Sequence, residues 1–262
     1  GRAIAVAIAA HGGRVGLVAR SIKGLKETRE SIRGLGGEAR IFPTDLTSED
    51  AINALWADVA ETWGSVDILV NVAGVWHGKD SLYLGSALQD TPPEEINLVL
   101  DVQLRAPILL SRLVLPGMIQ QKSGKILNIS GEIRDPSGWI HYYVSKKALE
   151  DFTVGLAEEV RDYEIQVNCI APADTLSENY CKFFPNSDPK CCLKTSDVAE
   201  FAIFLLSDDS NHITGSITIL RNKAAGKSNV TTADLLAASG EAAFTKKPGV
   251  PRKLKNTSGQ RQ

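Results

Sequence analysis

"GKILNIS", residues 124–130, is short and apolar, as a strand covered on both faces should be. Five other runs read the same way: "RVGLVA" (14–19), "EARIFP" (38–43), "VDILVN" (66–71), "IQVNCIA" (165–171) and "SITIL" (216–220). Between them, residues 2–11, 22–35, 48–63, 94–122, 141–161 and 195–207 carry apolar positions at helical spacing. Thr47, Ser48 and Glu49 mark one helix start, with acids in the first turn, and Thr195, Ser196 and Asp197 mark another. Strand–helix alternation over this length predicts an α/β fold: a doubly wound parallel sheet, Rossmann-like, in three α/β/α layers.

The totals narrow the function classes. A chain of 262 residues with 43% hydrophobic content builds one large core. A formal net charge of −2 gives no global reason to expect nucleic acid. Cys169, Cys181, Cys191 and Cys192 have neither zinc-site nor redox-motif spacing, which suits free thiols in a reducing, cytoplasmic setting. No run reaches the roughly 20 apolar residues of a membrane span, and no signal-peptide layout opens the sequence. Residues 221–262 hold nine Lys/Arg and two acids. The expected organisation is therefore a domain over 1–220 and a basic, largely disordered tail over 221–262.

Folds of this class begin with a strand and a glycine-rich turn, and the next helix N-terminus holds a pyrophosphate. This sequence opens on "GRAIAVAIAAHGG", already helical in pattern. The first strand is expected to be absent from the chain as given. Either residues precede this fragment or its N-terminus is unusual.

"HYYVSKKAL" (141–149) holds two overlapping Tyr–Lys pairs, Tyr142/Lys146 and Tyr143/Lys147. Each pair spans one helical turn. At about 100° per residue, with Tyr142 at zero, Val144, Ala148, Leu149, Phe152, Leu156 and Val160 span an arc centred near 280°. Tyr142 and Lys146 fall on its edge, at about 0° and 40°, and Tyr143 and Lys147 fall nearly opposite. A catalytic pair belongs at the border of core and cleft, which favours Tyr142 and Lys146.

Taken together, the motifs resemble the short-chain dehydrogenase/reductase family over residues 1–220. "GRAIAVAIAAHGGRVGLVARS" is similar to its first helix and second strand, "DL" (45–46) to its acidic position after the third strand, and "NVAG" (71–74) to its NNAG. "LPGMIQQKSGKILNIS" resembles the run into its active-site serine, "YYVSKKAL" its YxxSK helix, and "VNCIAP" and "ITGSITIL" its last strands. YxxSK selects Tyr142. The family's usual spacing from serine to tyrosine disagrees, because Ser130 stands 13 residues before Tyr143.

The resemblance implies an oxidoreductase that interconverts a carbonyl and an alcohol by hydride transfer from NADP, or from NAD. Tyr142 would be the acid/base, its pKa lowered by Lys146. Lys146 would also bind the nicotinamide ribose, and Ser130 would orient the carbonyl. Gln103 stands where the family has a helix asparagine. Arg20, followed by Ser21, takes the place of an acid that would bind the 2′-hydroxyl of NAD, and so suits the 2′-phosphate of NADP. Asp45 and Leu46 would meet the adenine, and Asn71, Ala73 and Gly74 the adenine ribose. A small-molecule substrate and a homodimer or homotetramer built on 94–122 and 141–161 are implied; nucleic acid, membrane and metal partners are not.

The departures fall at the site: Gln103, Val72, Gly131 where a second serine is usual, "PADT" (172–175) and "LRNK" (220–223). They motivate an alternative, a non-catalytic or truncated Rossmann protein that binds nucleotide or partners without turnover. Trp76 and Trp139 are candidate substrate contacts, beside His77 and His141 in loops after strand ends. Residues 173–194 fit a substrate lid or a loosely ordered loop by position.

Overall fold

The computed structural model describes residues 1–222 except Asp80 and Leu84. The remainder of the tail lies outside the described residues. The six sequence-predicted strands all form: β1 (Val15–Ala19), β2 (Ala39–Pro43), β3 (Ile68–Asn71), β4 (Gly124–Ile129), β5 (Ile165–Pro172) and, last among the described residues, β8 (Ile217–Leu220). β3, β4, β5 and β8 pair in that order, all parallel. β1 and β2 pair with each other in a separate parallel sheet. A cavity of about 540 Å³ is bordered by β1 on one side and β3 on the other.

The helices lie where apolar spacing places them. α1 (Arg2–Ala10), α2 (Ile22–Gly34) and α3 (Glu49–Trp63) come first. Ser48 caps α3 by accepting from the Ala51 N–H at 3.2 Å, and Glu49 and Asp50 occupy its first turn. α8 (Thr195–Leu206) starts at the expected Thr195, where Asp197 accepts from the Lys194 N–H at 2.8 Å.

Alternation along β4 builds the layers. Leu127 and Ile129 pack with Ile170 against α1 and α8. Ile126 packs with Val167 against α5 (Ala106–Gln121) and α6 (Ile140–Glu159). Helices thus cover both faces of the sheet, which is the three-layer α/β/α arrangement.

Two segments depart from the sequence reading. The helix expected over 94–122 is α4 (Pro93–Leu100) and α5 joined by a π-helical turn, Asp101–Arg105. Such turns interrupt the regular ladder and are frequent at functional sites. Residues 173–194, read as a lid or loose loop, hold β6 (Thr175–Leu176), α7 (Glu178–Phe183) and β7 (Leu193–Lys194). Tyr180, Phe184 and Cys192 are buried there with Leu82, packed by Trp76 and Trp139. The helical spacing of Tyr180, Phe183 and Phe184 was the readable signal for α7.

Candidate active site

α6 presents one face to the sheet, and that face is not the one the apolar positions chose. The buried residues are His141, Ser145, Lys146, Leu149, Glu150, Thr153, Leu156 and Ala157. They centre near 0–20° on the same wheel. Val144, in the expected core arc, is 48% exposed. Polar residues misled the wheel, because this face is lined by side chains hydrogen-bonded to the sheet. Of the two pairs, Tyr142 and Tyr143 are both half-buried, while Lys146 is buried and Lys147 exposed.

Lys146 is 4% exposed. Its Nζ donates to the Ile129 carbonyl at 3.0 Å and lies 5.6 Å from the centroid of the Tyr142 ring. Burial pulls the Lys146 pKa down to about 8, against the pull of Cys169 and Glu150. Burial pushes the Tyr142 phenol up to about 12. This corrects the expectation that Lys146 lowers the Tyr142 pKa: the ammonium sits over the ring, and desolvation decides the direction. Tyr142 is therefore a proton-bearing phenol at neutral pH.

Ser130 continues the alternation of β4, its N–H bonded to the Ile170 carbonyl at 2.9 Å. Its side chain consequently turns to the α6 face, where Oγ donates to Glu150 Oε1 at 2.9 Å. A serine hydroxyl has one proton, so with this bond made Ser130 has none for a substrate carbonyl. The position facing the phenol is Gly131: a Cβ there would stand 3.6 Å from Tyr142 Oη. Glu150 itself, missed in the sequence reading, is buried and also takes Lys147 Nζ at 2.7 Å. On the sequence wheel it falls opposite the apolar arc, so hydropathy gave no signal for it.

Gln103 sits in the π-helical turn, fully buried. Its Nε2 donates to Ser145 Oγ at 3.3 Å, and its Oε1 has no partner among the described residues. Gly74 keeps the adjoining space open: a Cβ there would stand 3.4 Å from Gln103 Oε1 and 3.8 Å from Lys146 Nζ. Lys146, Gln103 and Gly74 therefore converge on one spot. Asn71 does not present its amide there. Its Nδ2 donates to Asn128 Oδ1 at 2.8 Å, and Asn128 Nδ2 donates to Thr153 Oγ1 at 2.9 Å.

The remaining expected cofactor residues lie at the other sheet. Arg20 is exposed just past β1, and Ser21 caps α2 by accepting from the Gly24 N–H at 3.2 Å. Asp45, just past β2, uses Oδ1 to hold the Thr47 N–H at 3.1 Å and Thr47 Oγ1 at 2.9 Å. These bonds, with Arg20 adding to them, hold its carboxyl below its ordinary range. Ser21, Leu46, Asn71 and Ala73 line the cavity between β1 and β3.

Tyr142 also lines a second cavity, of about 370 Å³, with Trp76, Trp139, Tyr180 and Phe184. Trp76 and Phe184 stack 6.1 Å apart, and Trp139 meets Tyr142 edge-on at 5.7 Å. Both tryptophans named from sequence are thus walls of this space. His77 packs on Trp76 and Phe183 outside it. His141, expected in a loop, is in the first turn of α6 and buried 3.2 Å from Glu95. Among the described residues no three His, Cys, Asp or Glu side chains gather as a metal site. No described helix is long and apolar enough to cross a membrane.

A parallel sheet covered by helices on both faces, with cavities beside its strand ends, is a Rossmann-like three-layer architecture. The chain belongs to the short-chain dehydrogenase family, whose model, described as short chain dehydrogenase, matches residues 1–187. It is 31% identical over 230 residues to a 3-oxoacyl-(acyl-carrier-protein) reductase of Bos taurus, covering 84% of this chain and 91% of that protein. Among solved structures it is similar to a metagenomic short-chain oxidoreductase in complex with NADP, at 31% identity and TM-score 0.69. That match covers 84% of this chain and 89% of the other. It is also similar to an NAD+-bound xylitol dehydrogenase, at 25% identity and TM-score 0.75, covering 85% and 93%.

Proposed function

We propose that the protein is an NADP-preferring oxidoreductase that reduces a carbonyl, or oxidises an alcohol, at Tyr142. The observation that carries this reading is the placement of Tyr142: its ring is on Lys146, and it forms part of the wall of an aromatic-lined cavity. The residues present fit a nicotinamide cofactor, since Gly74 leaves an opening beside an unpartnered Gln103 Oε1 and the Lys146 ammonium. Lys146 and Gly74 would hold its nicotinamide end; Asn71, Ala73, Asp45, Leu46 and Ser21 would flank its adenosine; and Arg20 would meet a 2′-phosphate. Relatives in complex with NADP and with NAD support either cofactor, and Arg20 favours NADP.

When bound, the cofactor supplies or accepts the hydride. The chain's own part is the proton. Tyr142 Oη donates to the carbonyl oxygen as charge builds there, and the Lys146 ammonium offsets the phenolate left behind. Ser130 could orient the same oxygen only by turning its hydroxyl away from Glu150. Gln103 would hold a proton path beside Lys146. Exposed Ile108 on α5 and exposed Val144 and Val154 on α6 support a homo-oligomer built on these helices.

The test is an NADPH titration followed by a carbonyl panel. Saturable binding with turnover that Tyr142→Phe abolishes is the expected result. Binding without turnover would favour a nucleotide-binding protein, a reading that Gly131 and the Ser130–Glu150 bond support.

A further inference from the structure

The aromatic cavity is also lined by a buried carboxylate that the proton chemistry leaves unused. Glu132 follows Gly131, lines the same cavity as Tyr142, and has a side chain only 7% exposed. Its Oε1 accepts from Arg134 Nε at 2.9 Å and Arg221 Nε at 2.8 Å. Its Oε2 is buried and has no partner among the described residues. Burial alone would raise this carboxyl's pKa, but the Arg221 and Arg134 hydrogen bonds outweigh it and keep the group ionised. A carboxylate oxygen is an acceptor only. Left buried and unbonded, it is costly.

We propose that Glu132 selects substrate, its Oε2 accepting a hydrogen bond from a hydroxyl on a carbonyl compound whose flat apolar body lies against Trp76, Trp139 and Phe184. This rests on the reading that the cavity beside Tyr142 takes the carbonyl substrate. The donor is a neutral hydroxyl rather than an ammonium, because two guanidiniums already balance the Glu132 charge. An anionic substituent is disfavoured, since it would bring a second acceptor to an oxygen that lacks a donor. The substrate class is thus a hydroxylated aromatic or alicyclic ketone or aldehyde, or the matching alcohol. A site built to bond a hydroxyl discriminates strongly against the analogue that lacks it.

The test compares benzylacetone, its three ring-hydroxylated isomers and their methoxy counterparts with NADPH. In the unaltered protein at least one hydroxylated isomer should exceed both benzylacetone and its methoxy counterpart by about tenfold or more in kcat/KM. The methoxy group keeps the oxygen but removes the donor. In Glu132→Gln the amide N–H can donate to either oxygen, so hydroxy and methoxy compounds should become equivalent. Equal turnover of all these ketones by the unaltered protein would overturn the proposal, and this arm requires no variant. So would an equal loss with every ketone in Glu132→Gln, which marks a structural role.

If NADPH binds and no ketone turns over, the carbonyl-reductase reading fails on its own. Quenching of Trp76 and Trp139 fluorescence by the same ketones, with NADPH present, then decides the Glu132 assignment. Hydroxyl-dependent quenching that Glu132→Gln abolishes supports it, and equal or absent quenching sinks it.

Discussion

Ser130 Oγ donates to Glu150 Oε1 across 2.9 Å, beneath the helix that carries Tyr142. The bond follows from the alternation of β4, which sends residue 130 to the α6 side. It leaves the space before the phenol to Gly131. Replacing Gly131 with Ser should therefore set a hydroxyl beside Tyr142 Oη. We expect kcat/KM for carbonyl reduction to rise by about tenfold, part of what one well-aimed donor contributes. Steady-state kinetics of Gly131→Ser beside Ser130→Ala would show it. No gain from the first together with a large loss from the second would mean that Ser130 turns during turnover.

Tyr142→Phe should lower kcat/KM by about 10²- to 10⁴-fold, the range for a general acid, with NADPH affinity kept. Tyr143→Phe should stay near the parent, because Tyr143 lies beside Lys147 at the outer side of α6. Paired kinetics and cofactor titrations make the comparison; the reverse order of effects would move the site by one residue.

Reduction should weaken as pH rises through about 8, where Lys146 gives up its proton, while Tyr142, near 12, stays protonated. Stability should move the other way. The folded-state pKa of Lys146 lies below its unfolded value of 10.5, so between the two the unfolded chain binds more protons. The unfolding free energy then rises with pH across that window. Lys146→Met should abolish turnover, flatten this rise and leave Tm undiminished. Urea titrations at neutral and alkaline pH, beside a pH–rate profile, test both signs.

Thr153→Val removes the acceptor of Asn128 Nδ2, itself the second link from Asn71. All three side chains are buried. An orphaned amide there should cost about 1–3 kcal/mol, read from urea midpoints at constant slope. A change under a few tenths of a kcal/mol would show that the network relaxes around the loss.

Much of this was legible in the sequence. Every predicted strand formed, because doubly covered strands read as short apolar runs with little else to confuse them. Helical geometry separated Lys146, which is buried, from Lys147, which is exposed. The wheel nonetheless located the wrong core arc, since Ser145, Glu150 and Thr153 are buried by hydrogen bonds that hydropathy does not see. Glu132 was invisible for a related reason: its partner Arg221 lies 89 residues away. The π-helical turn left no mark either, because "LDVQLR" is as good a helix former as its neighbours. The polarity of 173–194 hid its regular structure, although three aromatic residues at helical spacing foretold α7.

The separation of β1 and β2 from the four-stranded sheet bears on how the molecule opens. Among the described residues they pair through one shared ladder, and α1 packs on both α2 and α8. Native-state hydrogen exchange should therefore resolve two sets of slow amides with distinct opening free energies, the β1–β2 set opening first. Trp63, edge-on to Phe42 in that first unit, would report its loss while Trp139 still reported an intact catalytic half. Exchange rates that coincide across both sets of strands would instead mark one cooperative unit.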